Sequence, residues 1–311
     1  MSMINLIDAI SMMRKFRGYL AGAGGISDMT RALKWSVWYA VKWWSEARAS
    51  GRTESIVAKA LYRSLLHHGY INERGDIIKR INAPERPRGS YAQEWLNLHE
   101  AFDAIFPKVL EGTAGEALEL LLDSMQSQGW YKLWRDGFLE ASGFAPRGLL
   151  EPRTLGGYNA VDIVARYKPN LYVGTETDRG RLEPLVSILQ GVVVNACRAE
   201  GVCIFIAHSV CDIADKLRDL PIDSVLLFNK IHWFPNPVGE LMCLKKASPS
   251  ALFYVGQPVV ETMPGFLAIN TALGAYHVFS RNEVENILSA AGLKVKRVLL
   301  REIPFYASIW S

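Results

Sequence analysis

Two glycines, an acid twenty residues further on and a histidine beyond a later apolar run are the residues whose types and spacing could do chemistry. The stretch from Gly148 to Asp162 reads as strand, loop and helix, with Gly156 and Gly157 in the loop. A glycine pair lets the backbone pass close to a ligand, and the helix that follows offers unbonded amides at its N-terminus. Glu176 closes the next apolar run, Tyr172 to Thr175, where a carboxylate can accept both hydroxyls of a ribose. The same residues also read as a tight turn and a solvated acid. The ordered spacing favours a nucleoside site.

His232 follows the apolar run Val225 to Phe228 by a short link. Open α/β sheets bind ligands at the C-terminal ends of their strands, and an imidazole there suits proton transfer because it titrates near neutrality. A structural role, capping the next helix together with Asn236, stands beside that reading. Asn229 and Lys230 lie nearer the strand end and could line the pocket. Gln257 and Glu261 could orient a base, and Trp233, Phe234, Phe266 and Tyr276 could form an apolar wall.

The elements that must position these residues are legible from residue 147 on. Apolar runs at 148–150, 171–175, 202–207, 223–228, 251–257, 295–300 and 305–310 alternate with helical patterns at 158–168, 180–198, 211–218, 236–247 and 281–291. That alternation predicts a mostly parallel sheet covered by helices, with the last two runs as an antiparallel pair at one edge. Residues 1–146 read differently. Helices are expected on either side of a break at Gly18–Gly25, then over 54–68, 91–106 and 112–126. A small β wing around Gly75 follows the second of these regions. Trp35, Trp38, Trp43 and Trp44 fall on one helical stripe, which needs either a second subunit or a packing surface within the chain.

Composition bounds the function. The chain has 311 residues and is half apolar, enough for a large core. The net charge is +4, and residues 1–80 hold 13 basic against 6 acidic residues, too few and too dispersed to predict a nucleic-acid partner. No apolar run reaches membrane length and no signal-peptide pattern opens the chain, so a cytoplasmic protein without a membrane span is expected. Cys197, Cys203, Cys211 and Cys243 show no zinc spacing and are expected as reduced thiols, with no metal site.

Residues 148–311 resemble a class I S-adenosylmethionine-dependent methyltransferase. Leu149 to Gly157 falls on that family's glycine-rich first motif and Val173 to Thr177 on its second-strand motif. Ile222 to Pro237 resembles the fourth strand and following motif of small-molecule O-methyltransferases. Val278 to Val295 resembles the late helix that ends in Ala-Gly before the sixth strand. The N-terminal region is similar to the dimerisation domain that precedes this fold. The resemblance implies a Rossmann-like domain over 147–311 behind a helical, winged-helix-like domain over 1–146. It further implies S-adenosylmethionine as cofactor, a small-molecule hydroxyl as methyl acceptor, His232 as base and a homodimer. The cofactor set implied is Glu151, Gly156, Gly157, Glu176, Ser209, Asp212 and Asn229. Arg153 and Leu155 stand where the family has glycines, and His208 and Ser209 stand where it has an acid after the third strand, with Asp212 as substitute. These departures leave a second expectation, a methyltransferase-like protein that serves as a binding module or partner subunit.

Overall fold

A computed structural model describes Arg14 and residues 16–155, 157–177, 192–193, 197–302 and 304–311. Gly156 and most of the helix expected over 180–198 lie outside the described residues. The chain forms two compact units. One comprises residues 1–138, 258–281 and 300–306, and the other residues 139–257, 282–299 and 307–311.

In the first unit, α1 (Arg17–Gly22) is followed by Gly24, the left-handed N-cap of α2 (Gly25–Ala49). Along α2, Met29, Leu33, Ala40, Trp43 and Ala47 recur on one side and are buried. The helices α3 (Ile56–His67), α4 (Ser90–Glu111) and α5 (Gly115–Ser127) follow the expected apolar spacing, and α6 (Gly129–Ser142) adds one that was not expected. The wing is reduced to a single antiparallel bridge between Ile71 and Ile77.

The tryptophan stripe does not face outward. Trp35, Trp43 and Trp44 are buried in the chain's own core. Trp43 lies edge-on to Phe102 and stacks on Phe106. The indole N–H groups of Trp35 and Trp44 donate to the carbonyls of Glu85 and Gly75.

A further helix, α10 in chain order (Pro264–Ala272), is buried along nearly its whole length. It has no polar face, so no periodicity announces it. Its first amides, at Gly265 and Phe266, donate to Ser36 Oγ. A Cβ at Gly265 would lie 2.5 Å from the Ser36 carbonyl oxygen, so only glycine permits this approach.

The second unit is built on an eight-stranded sheet: β1 (Gly148–Glu151), β2 (Leu171–Glu176), β3 (Val192–Val193), β4 (Gly201–Ile206), β5 (Ser224–Phe228), β6 (Leu252–Gln257), β7 (Val295–Leu300) and β8 (Tyr306–Trp310). Its order is β3-β4-β2-β1-β5-β6-β8-β7, and the neighbours from β3 to β6 run parallel. β1, β2 and β5 are buried along their whole length, which is why they read as unbroken apolar runs. Lys294 and Ser311 exchange both backbone hydrogen bonds, the pattern of an antiparallel pair at the β7 edge. The crossovers include α7 (Tyr158–Tyr167), a 3-10 turn (Val210–Ile213) with α8 (Ala214–Leu217), α9 (Pro237–Ala247) and α11 (Arg281–Ala290). Val192 and Val193 are strand, not the helix expected there.

The cysteines correct a second expectation. They are paired, Cys197 with Cys203 and Cys211 with Cys243, at Cα separations of 6.0 and 5.2 Å. Packing of the 3-10 turn after β4 against α9 brings Cys211 to Cys243, which sequence spacing alone does not reveal. The inference from free thiols to a reducing compartment therefore lapses. Among the described residues, no helix is long and apolar enough to cross a membrane.

Candidate active site

The sheet order gathers the predicted residues. Glu151 ends β1, Glu176 ends β2, Ser209 and Asp212 follow β4, Asn229 and His232 follow β5, and Gln257 ends β6. Since β4, β2, β1, β5 and β6 are consecutive neighbours, all these residues lie along one edge, at the C-terminal ends of the strands.

The loop from β1 to α7 keeps a glycine-type backbone without the glycines. Arg153 and Leu155 have φ of 54° and 53°, in the left-handed region that side chains disfavour. Gly157, at the N-cap of α7, has φ of 81°. The loop is held from β2. Arg153 N donates to Thr175 Oγ1 and Thr154 N to the Thr175 carbonyl. Leu155 N donates to Glu176 Oε2 at 2.7 Å and Thr154 Oγ1 to the same oxygen at 3.2 Å. The Arg153 guanidinium reaches the His208 carbonyl at the end of β4.

Glu176 is therefore an internal acceptor. Its Oε1 also accepts the amide and the hydroxyl of Thr177. Four hydrogen bonds use the four lone-pair sites of a carboxylate, and the residue is 1% exposed. Glu151 is fully buried; Tyr172 Oη donates to its Oε2 at 2.8 Å, and Lys230 Nζ lies 3.2 Å from its Oε1. Burial first, and the Glu151 charge second, push the Tyr172 hydroxyl well above its ordinary pKa, so it stays a donor.

Ser209 and Asp212 form a capping box on the 3-10 turn after β4. Ser209 Oγ accepts Cys211 N, and Asp212 Oδ2 accepts Ser209 N. Asn229 is buried and left-handed at φ 57°, with its amide donating to the Gly256 carbonyl at 2.6 Å. His232 lies in the 3-10 turn Ile231–Trp233 and is fully buried, with Nδ1 against the side-chain amide nitrogen of Gln257. Asn236 caps α9 on its own, accepting Gly239 N. Of the expected aromatic wall, Trp233 and Phe234 are buried in the second unit. Phe266 belongs to the first unit's core against Trp95 and Trp130, and Tyr276 is half exposed.

Among the chains of known structure that share this fold are two methyltransferases. One is the trans-methyltransferase CalH, in a complex with SAH, at 14% identity and a TM-score of 0.57, over 91% of this chain and 90% of that one. The other is an O-methyltransferase family 2 protein from Planctomyces limnophilus in complex with apigenin. It is 13% identical with a TM-score of 0.53, over 91% and 95% of the two chains. The chain has the class I methyltransferase fold. An N-terminal helical region precedes the sheet, as the sequence resemblance implied. No protein-family model and no curated protein matches the sequence.

The amides of Arg153, Thr154 and Leu155 donate within the chain, so the described backbone that would meet a cofactor such as S-adenosylmethionine is the start of α7. The β1–α7 loop has the left-handed turns that bring main chain close to a ligand, and α7 begins beside them. Glu151, Glu176 and Asp212 are already bonded within the chain. For Glu176 to take a ribose hydroxyl, the Thr177 hydroxyl must release Oε1. Sequence reasoning passed over Tyr172 and Thr175 as strand residues and gave Lys230 only a pocket-lining place. A lysine two residues beyond the apolar run Val225 to Phe228 and followed at once by Ile231 was the available signal.

Proposed function

We propose that this chain is an S-adenosylmethionine-dependent methyltransferase that methylates a hydroxyl of a small molecule, with His232 as base. The observation that carries the reading is the β1–α7 loop, which sets two left-handed side-chain-bearing residues, Arg153 and Leu155, just beyond the C-terminal end of β1, where open α/β sheets bind ligands. The ligands of the two chains that share the fold, SAH and apigenin, are consistent with a nucleoside cofactor and a hydroxylated aromatic acceptor. In this reading the N-terminus of α7 and Glu176 bind the nucleoside, with Gly156, Gly157 and Asn229 beside them, and Ser209 and Asp212 border the base.

S-adenosylmethionine supplies, when bound, an electrophilic methyl group. The chain must align the acceptor oxygen, exclude water and remove a proton. For His232 Nε2 to take that proton, Nδ1 must carry its own and face an acceptor. Gln257 meets this need by a half-turn of its carboxamide, which sets Oε1 against Nδ1. A homodimer through the helical region belongs to the same proposal, although the buried tryptophans no longer support it.

A second reading, a binding protein on the methyltransferase fold, is favoured by one observation: the Glu176 carboxylate already accepts four hydrogen bonds. Calorimetric titration with S-adenosylmethionine and SAH separates the two, followed by transfer of labelled methyl to a panel of phenols. Micromolar binding with methyl transfer that falls about 10²–10⁴-fold in His232→Ala supports the enzyme. Binding without transfer to any acceptor supports the second reading, and absence of binding at millimolar cofactor rejects both the cofactor and the base.

A further inference from the structure

We propose that Lys230 is a positioning residue of the strand-end site: its buried ammonium holds the β1–α7 loop in the left-handed geometry through which the loop meets a ligand. The proposal rests on reading that loop as the ligand loop.

Lys230 Nζ donates to the carbonyl oxygen of Arg153, the first of the two left-handed non-glycine residues. The lysine side chain is wholly buried. It reaches the loop because β5 lies directly beside β1, with Leu149 opposite Ser224 and Leu150 opposite Val225. Continued along the strands, that register sets Phe228 level with Arg153, so Lys230 stands two residues further on, within reach of the Arg153 carbonyl for a long side chain. The left-handed Asn229, tied by its amide to the Gly256 carbonyl, turns the chain just before Lys230.

The ammonium's charge is balanced by Glu151, 3.2 Å away at Oε1, yet that oxygen accepts no hydrogen bond. The hydrogen bond goes to Arg153 instead, and Tyr172 bonds the other Glu151 oxygen. A buried ion pair is seldom worth more to stability than an apolar pair of the same volume, so stability alone gives little reason for it. Geometry gives a reason. Residues with glycine at 153 and 155 enter the left-handed region freely, whereas Arg153 and Leu155 must be held there. Lys230 holds the loop from the β5 side, as Thr175 and Glu176 hold it from β2.

The test compares wild type, Glu151→Gln, and the double variant Glu151→Gln with Lys230→Met. The double variant removes both charges together, so no lone buried charge unfolds it. The first readout is hydrogen exchange at the amides of residues 153–155 in the protein alone, and the second is SAH affinity by calorimetry. We expect the double variant to keep the wild-type melting temperature within a few degrees, to exchange these amides at least tenfold faster, and to bind SAH at least tenfold more weakly. Glu151→Gln alone leaves the Lys230 ammonium buried without its counter-charge and should lower the melting temperature, yet, because the bond to Arg153 remains, it should retain most of the protection at 153–155 below that temperature. Wild-type exchange in the double variant overturns the proposal, as does equal loss of protection in Glu151→Gln. If wild type binds no SAH, the cofactor reading fails, and the exchange rates still decide the role of Lys230.

Discussion

The carboxylate of Glu176 accepts the main-chain amide of Leu155 at 2.7 Å, joining the end of β2 to a left-handed residue in the loop after β1. Both residues are buried, so the bond is made out of water. An acid that sequence position assigns to a ribose is here a clamp on the loop that would meet the rest of the nucleoside. In the proposed reading, ligand binding and loop geometry would be coupled through this one side chain.

Glu176→Ala should therefore destabilise the free protein, which a purely ligand-binding acid would not do. It leaves the amides of Leu155 and Thr177 without their acceptor, each worth about 1–3 kcal/mol when buried. The expected loss is about 2–4 kcal/mol by urea unfolding. Unchanged stability would mean that the clamp has no energetic weight.

Glycine at the two strained positions should separate strain from packing. Arg153→Gly relieves a left-handed backbone worth about 1–2 kcal/mol and adds roughly 0.5–1 kcal/mol of unfolded-chain entropy. These nearly cancel, so its stability should stay within about 1 kcal/mol of wild type. Leu155→Gly has the same backbone balance but also gives up a buried side chain, worth about 1.5–3 kcal/mol. It should be the less stable of the two by about 2 kcal/mol, read from paired denaturation curves.

His99 should make the first unit sensitive to acid. Its ring stacks on Trp43 and its Nδ1 lies 2.8 Å from the Trp95 carbonyl. Burial pushes its pKa down to about 4 from the ordinary 6.5, against a smaller upward pull from that hydrogen bond. Between these two values the unfolded chain binds a proton that the folded chain refuses. Stability is thus fully present above pH 6.5, falls as pH drops toward 4 and levels below, by about 3 kcal/mol in all. His99→Phe should flatten the stability–pH curve in that window, followed by tryptophan fluorescence.

The disulfide between Cys211 and Cys243 should matter to stability. Its 32-residue separation gives about 3–4 kcal/mol on the chain-entropy account. Cys211→Ser should lower the unfolding free energy by an amount of that order, and alkylation of unreduced wild type under denaturing conditions should label no cysteine. Labelling of all four thiols would show that the purified protein is reduced.

What was legible in the sequence followed from local pattern. The strands β1, β2, β4, β5, β6, β7 and β8 each fall within a residue or two of the expected runs; for β1, β2 and β5, buried along their whole length, this is because a strand buried on both faces must be apolar throughout. The placement of Glu151, Glu176, Asn229, His232 and Gln257 at strand ends follows from the same pattern, whereas their convergence follows from the observed sheet order. The helix Pro264–Ala272 was hidden for the opposite reason: buried on all sides, it has no periodicity to read.

Partners were decided only by the tertiary structure. Sequence placed a glycine-poor loop, an acid and a lysine at neighbouring strand ends. It could not show that Glu176 bonds Leu155, that Lys230 bonds Arg153, or that Cys211 meets Cys243, since these contacts join residues 21, 77 and 32 positions apart. Nor could it choose between a second subunit and the chain's own core for Trp43. The physical reason is the same in each case. Spacing along a chain governs what a residue presents locally, whereas a hydrogen bond, a disulfide or a ring contact depends on distances that only the packing of separate elements establishes.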